Sequence, residues 1–418
     1  MDFKYVRIKN FKSIADMEIC FQPGVNLILG ENGAGKTSVL EALTIALGDY
    51  FNGINGVPKK GISSTAVRFN THTAGGASTK IEYYSPTEIE SRMHLCREVG
   101  LGLVQRKDAT TQTKTRFTGK ALKVYATELC NNMNSILPLL CYFSTQRLAQ
   151  PKREDFGATS KNELNDRRCG YIGCMDDTLD RKALEAWCLK MELETFKRNT
   201  IISEYTVFKE IVATFMMYMN ELEEKPKVDY SRQFDDMVYE ENGTSVPIKY
   251  LSAGYQSLLW IVMTIAFRLC QLNPSVEDYK DVPGIVLIDE VDMHLHPRWQ
   301  WRIVSALQNT FPKVQFVLAT HAPIIISSSK DALLIQIDQD HSINYPHSAY
   351  AAAIDDVVEL TQGSSSVPME LRKLAKGFEV AFRNGDKSSA TSIYSEMLTQ
   401  FGEDNAEVDL AKRRLSIL

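Results

Sequence analysis

Runs of apolar residues typical of buried strands alternate along this chain with segments of helical periodicity. Residues 3–29 alternate in polarity as strands do, and residues 25–29 (VNLIL) form an apolar strand that leads into a glycine-rich loop. Residues 38–47 follow a helical pattern, and further apolar strands are predicted at residues 285–288 and 314–320. This alternation predicts an α/β fold.

A long insertion separates the glycine-rich loop from the later apolar strands. Residues 52–80 are rich in Gly, Ser, Thr and Asn and are expected to be loop, whereas residues 80–84, 102–105 and 116–125 favour strands and suggest an antiparallel β lobe. Residues 161–224 place apolar side chains at spacings of three and four, which predicts helices. Because heptads are not sustained, we expect a short helical arm rather than a coiled-coil rod.

The last quarter of the chain has a different pattern. Residues 332–343 resemble a hairpin that closes the sheet, and from Pro368 onward the pattern is helical, with a turn at residues 384–385 and a third short helix after Gly402. This tail is either a cap packed on the head or a docking module for another protein. The expected segments are 1–160 for the N-terminal half of the head with its β lobe, 161–240 for the helical insertion, 241–345 for the C-terminal half of the head, and 346–418 for the helical tail.

Composition narrows the class of protein. Of the 418 residues, 44% are apolar and 24% are charged, as in ordinary globular proteins, and no apolar run reaches the roughly 20 residues of a membrane span. The eight cysteines are scattered singly, and the first residues lack a secretory pattern. We therefore expect a cytoplasmic protein with reduced thiols and no membrane partner. The formal net charge of −5 argues against a nucleic-acid coat over the whole surface.

The glycine-rich loop fits a nucleotide-binding motif. Residues 30–37 read GENGAGKT, which matches G-x-x-x-x-G-K-[ST] between a strand and a helix. Its backbone N–H groups are expected to wrap phosphates at a helix N-terminus, with Lys36 reaching the β- and γ-phosphates of ATP and Thr37 binding Mg²⁺. The residues expected to hold the nucleotide here are Gly30, Asn32, Gly33, Ala34, Gly35, Lys36, Thr37 and Ser38.

Polar residues at the ends of three other apolar strands complete a hydrolytic site. Asp289 ends the strand at residues 285–288 and is expected to hold Mg²⁺, and Glu290 is expected to deprotonate the attacking water. His321 follows the next strand and is expected to contact the γ-phosphate. Gln146 follows the apolar segment that begins at Cys141 and is a further candidate for binding Mg²⁺ and the nucleotide.

Residues 251–256 read LSAGYQ and precede an apolar helical pattern. An LSxGxQ element has a use only when its hydroxyl and amide groups face a phosphate. Because it cannot reach the nucleotide of its own head, we expect Ser252, Gly254 and Gln256 to contact ATP bound by a second chain. ATP would then join two chains, and hydrolysis would release them.

Together these motifs resemble the ABC-type P-loop ATPase heads of the SMC, RecF and OLD group over roughly residues 1–345, apart from the insertion. The resemblance implies that residues 292–297 line a dimer interface, with His294 and His296 near the partner's nucleotide; a metal site at these histidines is the alternative. OLD nucleases carry a Toprim domain after the head. The Asp338-Gln339-Asp340 sequence offers a DxD pattern, but it lies in the expected hairpin, and the helical tail lacks a Toprim pattern, so no built-in nuclease is expected.

The short insertion and the tail that begins at residues 348–357 look similar to the PtuA ATPases of Septu and retron-linked antiphage systems. That resemblance implies an ATP-hydrolysing switch that forms homo-oligomers and controls PtuB, a separate HNH endonuclease. A retron context would add a reverse transcriptase and its RNA/DNA product as partners, with DNA reached through the complex.

Two other functions stay open at this stage. The chain is alternatively a RecF- or SMC-like repair ATPase that binds DNA itself, or an ATP-bound scaffold with little turnover. Residues 101–123 carry six Lys or Arg against one Asp, which suits either a phosphate-tracking strand or a solvated hairpin.

Overall fold

The computed structural model of the chain describes residues 1–74, 78–95, 99–106, 115–145, 166–175, 181–234, 236–276, 278–354, 356–358, 369–403 and 405–416. They form two compact units, Met1–Ala351 and Ala352–Leu418. The strands are β1 (Asp2–Phe11), β2 (Ile14–Cys20), β3 (Val25–Leu29), β4 (Phe69–Ala74), β5 (Ser78–Tyr83), β6 (Thr87–His94), β7 (Val99–Arg106), β8 (Arg116–Phe117), β9 (Leu139–Phe143), β10 (Lys227–Ser231), β11 (Asp236–Glu241), β12 (Thr244–Pro247), β13 (Gly284–Ile288), β14 (Val314–Ala319), β15 (Leu333–Ile337) and β16 (Ile343–Asn344). The helices are α1 (Lys36–Ala46), α2 (Gly48–Phe51), α3 (Lys120–Asn131), α4 (Arg181–Arg198), α5 (Ser203–Asn220), α6 (Ala253–Leu272), α7 (Pro297–Gln300), α8 (Ile303–Thr310), α9 (Pro323–Ser328), α10 (Met369–Arg383), α11 (Lys387–Phe401) and α12 (Ala406–Leu415).

A mostly parallel sheet forms the centre of the first unit. Its strand order is β16-β15-β3-β14-β13-β9, and only the edge pair β15 and β16 is antiparallel. Every residue of β3, β9, β13 and β14 is buried, which explains why these strands are continuous apolar runs. The hairpin expected near residues 332–343 is confirmed as β15 and β16. Parallel pairing brings the carboxyl ends of β3, β13 and β14 to one edge of the sheet.

Helix α1 lies between the parallel sheet and an antiparallel sheet. The strand order of the antiparallel sheet is β2-β1-β6-β7-β8, and α1 contacts both β1 and β6 of this sheet and β14 of the parallel one. The antiparallel lobe is therefore confirmed, but two details differ from expectation. Residues 69–74 form β4 rather than loop, and residues 120–125 belong to helix α3 rather than a strand, because Leu122 and Ala126, four residues apart, are its buried positions.

The predicted helical region contains α4 and α5 among the described residues. Helix α5 packs against α6 and α8, and a small antiparallel sheet, β10-β11-β12, follows it directly. The sequence pattern did not indicate this sheet. Helix α6 is long and apolar enough to cross a membrane, but 78% of its most apolar window is buried inside the fold. Its apolar side chains therefore belong to the core of the first unit.

The second unit is a small helical bundle with its own core. Helices α10, α11 and α12 pack together, and their shared interior includes Leu371, Phe378, Ala390, Met397 and Val408. The carboxylate of Asp386 caps α11 by accepting the N–H of Ser389 at 3.1 Å. The three helices and the turns between them confirm the pattern expected for the tail.

Candidate functional site

The glycine-rich loop lies between the end of β3 and the start of α1. Gly33 and Gly35 have φ values of 86° and 105°, a backbone conformation that favours glycine, and α1 begins at Lys36. Gly30 packs so tightly that an added Cβ would lie 2.5 Å from the carbonyl oxygen of Ile337. The loop therefore presents N–H groups and a helix N-terminus to one small cavity, which suits an anion. The cavity, of about 180 Å³, is lined by Ser13, Asn32, Gly33, Gly35, Lys36, Thr37, Ser38, Asp289 and Glu290.

Lys36 is held inside this loop. Its ammonium group donates to the carbonyl oxygens of Gly30 at 2.7 Å and Glu31 at 2.9 Å. Burial lowers the pKa of Lys36, and the negative charges of Asp289 and Glu290 oppose that shift. A phosphate group at the loop would supply the compensating negative charge that a buried ammonium needs.

Thr37 and Asp289 meet at the end of β13. The Thr37 hydroxyl donates to Asp289 Oδ2 at 2.7 Å, and Asp289 is 1% exposed. The backbone N–H of Asp289 donates to the carbonyl of Phe143 at 2.8 Å, which fixes the turn that carries the carboxylate. A hydroxyl and a carboxylate converging beside a phosphate loop are oxygen ligands of the kind that Mg²⁺ prefers, so these residues fit that ion.

Glu290 and His321 follow neighbouring strands of the same sheet edge. Glu290 lines the phosphate cavity and has a φ of 45°, so the chain turns sharply directly after β13. His321 Nδ1 lies 3.6 Å from Asp292 Oδ2, and the hydroxyl of Thr320 donates to the other oxygen of that carboxylate. The structure thus brings Glu290 to the cavity and places His321 beside Asp292, with 54% of the histidine side chain exposed.

The LSAGYQ element lies at a different cavity. Ser252 caps α6 by accepting the N–H of Tyr255 at 3.4 Å, and Ser252 and Gly254 line a cavity of about 1020 Å³ together with His294 and His296. Among the described residues, no side chain or backbone of this larger cavity belongs to the lining of the phosphate cavity. The element therefore does not face the phosphate loop of its own chain.

Two contacts fix the start of α6. An added Cβ on Gly254 would lie 2.8 Å from the carbonyl oxygen of His294 and 2.9 Å from the Trp299 ring, so only glycine fits there. The side-chain amide of Gln256 donates to the carbonyl oxygens of Lys249 at 3.2 Å and Leu251 at 2.9 Å. Gln256 thus braces the turn that presents Ser252.

Asn220, the last residue of α5, joins the larger cavity to the inserted region, and sequence reasoning missed it. Its Oδ1 accepts the indole N–H of Trp299 at 3.1 Å, and its Nδ2 lies 3.3 Å from the Tyr255 hydroxyl and 2.9 Å from Glu241 Oε2. The amide therefore ties α5 to α6, α7 and β11. Nothing in the sequence near residue 220 marks this role. Ser13, which lines the phosphate cavity from the turn after β1, was missed in the same way.

Replacing Asn220 by alanine is expected to lower the free energy of unfolding by about 1–3 kcal/mol, because it removes the acceptor of the Trp299 N–H and a donor to Glu241. Urea denaturation of the full chain measures this change. Asn242→Gly is the matched control, since Asn242 lines the same cavity at a φ of 51° that glycine adopts freely. Equal losses in both variants would contradict the role of the amide.

Two of the predicted features lie partly or wholly outside the described residues, and the candidate metal sites lack a ligand cluster. Gln146 and much of the basic stretch at 101–123 fall on residues that the structure does not describe. Within the described part of the chain, no three His, Cys, Asp or Glu side chains are grouped to hold a metal ion, at residues 338–340 or at His294 and His296.

The loop at the start of α1, the acidic residues after β13 and the surrounding α/β architecture define a P-loop ATPase. The chain belongs to the AAA domain family, whose sequence profile matches residues 5–232; a second AAA domain profile matches residues 218–327. The ATPase activity predicted from the motifs is thereby confirmed.

Relatives place the chain more finely. It is 26% identical to the "Retron Vc95 probable ATPase" of Vibrio cholerae serotype O1 biovar El Tor, over 88% of this chain and 80% of that protein. It is 24% identical to the Septu protein PtuA of Bacillus thuringiensis, over 81% of this chain and 77% of that protein. The predicted similarity to PtuA-type and retron ATPases is confirmed.

A solved structure confirms the predicted head fold. An Smc head, crystallised bound to the C-winged helix domain of ScpA, superposes with a TM-score of 0.50 and 14% identity, covering 83% of this chain and 98% of that one. At this identity the likeness concerns the fold alone. The chain is therefore an ATPase with an SMC-like head.

Proposed function

We propose that the chain is the ATP-hydrolysing switch subunit of a cytoplasmic antiphage defence complex, which pairs with a second copy through ATP and regulates a separate HNH endonuclease. One observation supports the proposal that two chains pair through ATP. Ser252 and Gly254 line a cavity that shares no described residue with the phosphate cavity of the same chain. The Ser252 hydroxyl, which accepts from Tyr255 and can still donate, and the N–H groups at the start of α6 are therefore suited to the phosphate of another chain.

The residues predicted to bind the phosphates and to hydrolyse ATP have the following roles in this proposal. The loop amides and Lys36 hold the phosphates, while Glu290 accepts the proton of the water that attacks the γ-phosphate. His321, which lies beside Asp292, donates to that phosphate. Thr37 and Asp289 would hold Mg²⁺, which neutralises phosphate charge when bound, and Gln146 remains a further candidate ligand.

The larger cavity supports a composite site on grounds of shape and chemistry. It is lined by residues at the start of α6 and by His294 and His296, so a helix N-terminus and two histidines border the same cavity. Both are suited to a triphosphate from a partner. On this proposal the two histidines are interface residues.

The proposal of a nuclease partner rests on the relatives. Proteins named Septu protein PtuA and a retron ATPase match most of this chain. The resemblance to PtuA ATPases implies that an HNH endonuclease is encoded separately, and that ATP-driven closure of the heads changes its access to DNA. A retron reverse transcriptase with its RNA/DNA product is the further partner in a retron context.

Co-purification tests this part directly. The tagged chain would be expressed with an HNH endonuclease of the PtuB type, and DNA cleavage by the isolated complex would be measured with ATP and with ADP. A stable complex whose cleavage differs between the two nucleotides is expected. If no complex forms with either nucleotide, and the chain alone binds DNA with a steep salt dependence, the repair-type ATPase replaces this proposal.

A further inference from the structure

The turn between β15 and β16 contacts the phosphate loop at two points. Residues 338–342 form this turn, which we call the clamp turn. The side-chain amide of Gln339 donates to the carboxylate of Glu31, and His341 Nδ1 lies 3.1 Å from the carbonyl oxygen of Ala34. The His341 ring also packs on Gly35, where an added Cβ would lie 3.6 Å from Nδ1.

Hydrogen bonds inside the clamp turn hold its shape. The Asp338 carboxylate accepts from Gln336 at 3.0 Å and from Asn344 at 2.6 Å, and the Asp340 carboxylate accepts the N–H and hydroxyl of Ser342 at 3.0 and 2.7 Å. The two hydrogen bonds from Ser342 lower the pKa of Asp340. Both aspartates of the DxD pattern are therefore occupied by the hairpin itself, and they fix the backbone that carries the histidine.

The hydrogen bond between His341 and Ala34 has a defined direction. A carbonyl oxygen only accepts hydrogen bonds, so His341 Nδ1 must carry a proton and donate it. The Ala34 carbonyl and the Gly35 N–H belong to one planar trans peptide and point in opposite directions. Because His341 lies on the carbonyl side of this peptide, the Gly35 N–H points away from His341. Gly35 also lines the phosphate cavity, so its N–H is suited to a phosphate bound there.

We propose that His341, supported by Gln339, is a positioning residue that holds the phosphate loop in its nucleotide-binding conformation. It acts through the Ala34–Gly35 peptide and does not touch the nucleotide. The inference rests on the proposed ATP site and extends it to the hairpin beyond His321. A loop already held in its bound shape has less conformational freedom to lose, so it binds nucleotide more tightly.

Two substitutions at His341 distinguish the effect of losing the ring's hydrogen-bond donor from any effect on the local backbone. The residue has a φ of 65°, which both glycine and asparagine tolerate. His341→Gly removes the donor, whereas His341→Asn offers a side-chain N–H in its place. Calorimetric titration of the full chain with ADP is the measurement, because ADP binding to a single loop requires neither pairing nor hydrolysis.

The Kd for ADP is expected to rise about five- to tenfold in His341→Gly, the effect of losing about one hydrogen bond, and to return most of the way in His341→Asn. The KM for ATP should rise with the Kd, while kcat should change little. His347→Gly, at an exposed histidine outside the clamp turn, should leave both values unchanged. Thermal unfolding of each variant checks that the fold is retained.

An unchanged Kd in a folded His341→Gly variant would overturn the inference, and so would an asparagine variant as weak as the glycine variant. Lys36→Ala distinguishes a failure of the proposed ATP site from a failure of the role given to the clamp turn. If Lys36→Ala also binds ADP normally, the phosphate-loop site itself is wrong. If only Lys36→Ala loses binding, the phosphate-loop site is correct and the proposed role of His341 in the clamp turn is wrong.

Discussion

Replacing Glu290 by glutamine is expected to lower the rate of ATP hydrolysis by a factor of about 10²–10⁴, because an amide cannot accept the proton of the attacking water. Nucleotide binding should persist, since the phosphate loop, Lys36 and Thr37 are unchanged. Release of phosphate under saturating ATP measures the first effect, and titration with ADP measures the second. Because hydrolysis opens the proposed pair of heads, the variant should also accumulate in the ATP-bound paired state.

A carboxylate in the second unit provides the control for this substitution. Glu396 lies on α11 in the second unit, and its hydrogen bond from Gln400 at 3.1 Å can equally be accepted by an amide oxygen. Glu396→Gln should therefore hydrolyse ATP as the wild type does. Equal turnover in Glu290→Gln and the wild type would remove Glu290 from the chemistry and favour a scaffold with little catalytic use of the site.

The second large effect concerns Ser252. Aspartate and asparagine cap helices about as well as serine, so Ser252→Asp and Ser252→Asn should both keep α6 folded. Only the aspartate places a negative charge where the partner's γ-phosphate is expected. Like charges brought together at an interface cost several kcal/mol, so Ser252→Asp should lower ATP turnover by about 30-fold or more, whereas Ser252→Asn should retain most of it.

Binding measurements complete this comparison. Ser252 lies in a cavity separate from the phosphate loop, so both variants should bind ADP with the wild-type Kd. Equal turnover of the aspartate and asparagine variants would mean that no phosphate approaches Ser252. A weaker Kd for ADP in Ser252→Asp would instead mean that the serine serves the nucleotide of its own chain.

Local sequence was enough to predict the parts of the site that one strand or loop carries. The phosphate loop follows a buried strand and precedes a helix, and Asp289 and Glu290 follow β13, so parallel pairing brings them to one cavity. The motifs also led to the prediction that the LSAGYQ element does not reach the phosphate loop of its own chain. The structure adds that these parts line separate cavities.

Features that depend on distant contacts could not be predicted. Asn220 meets Trp299 across 79 residues, and His341 meets Ala34 across 307, with no periodic signal to join them. Strands β10, β11 and β12 have only four to six residues each, too short for a clear alternation. In α3, the β-prone Val124 and Tyr125 favoured a strand, but packing of one helical face decided the outcome.

The central claim, that each ATP site is built from two chains, is tested most directly by mixing two inactive variants. Lys36→Ala keeps its LSAGYQ element but lacks a working phosphate loop, and Ser252→Asp has the reverse defect. In a mixed pair, one of the two sites is complete. Random pairing in an equal mixture therefore predicts recovery of about a quarter of the wild-type rate of ATP hydrolysis. A mixture no faster than the two variants measured separately would contradict the composite site.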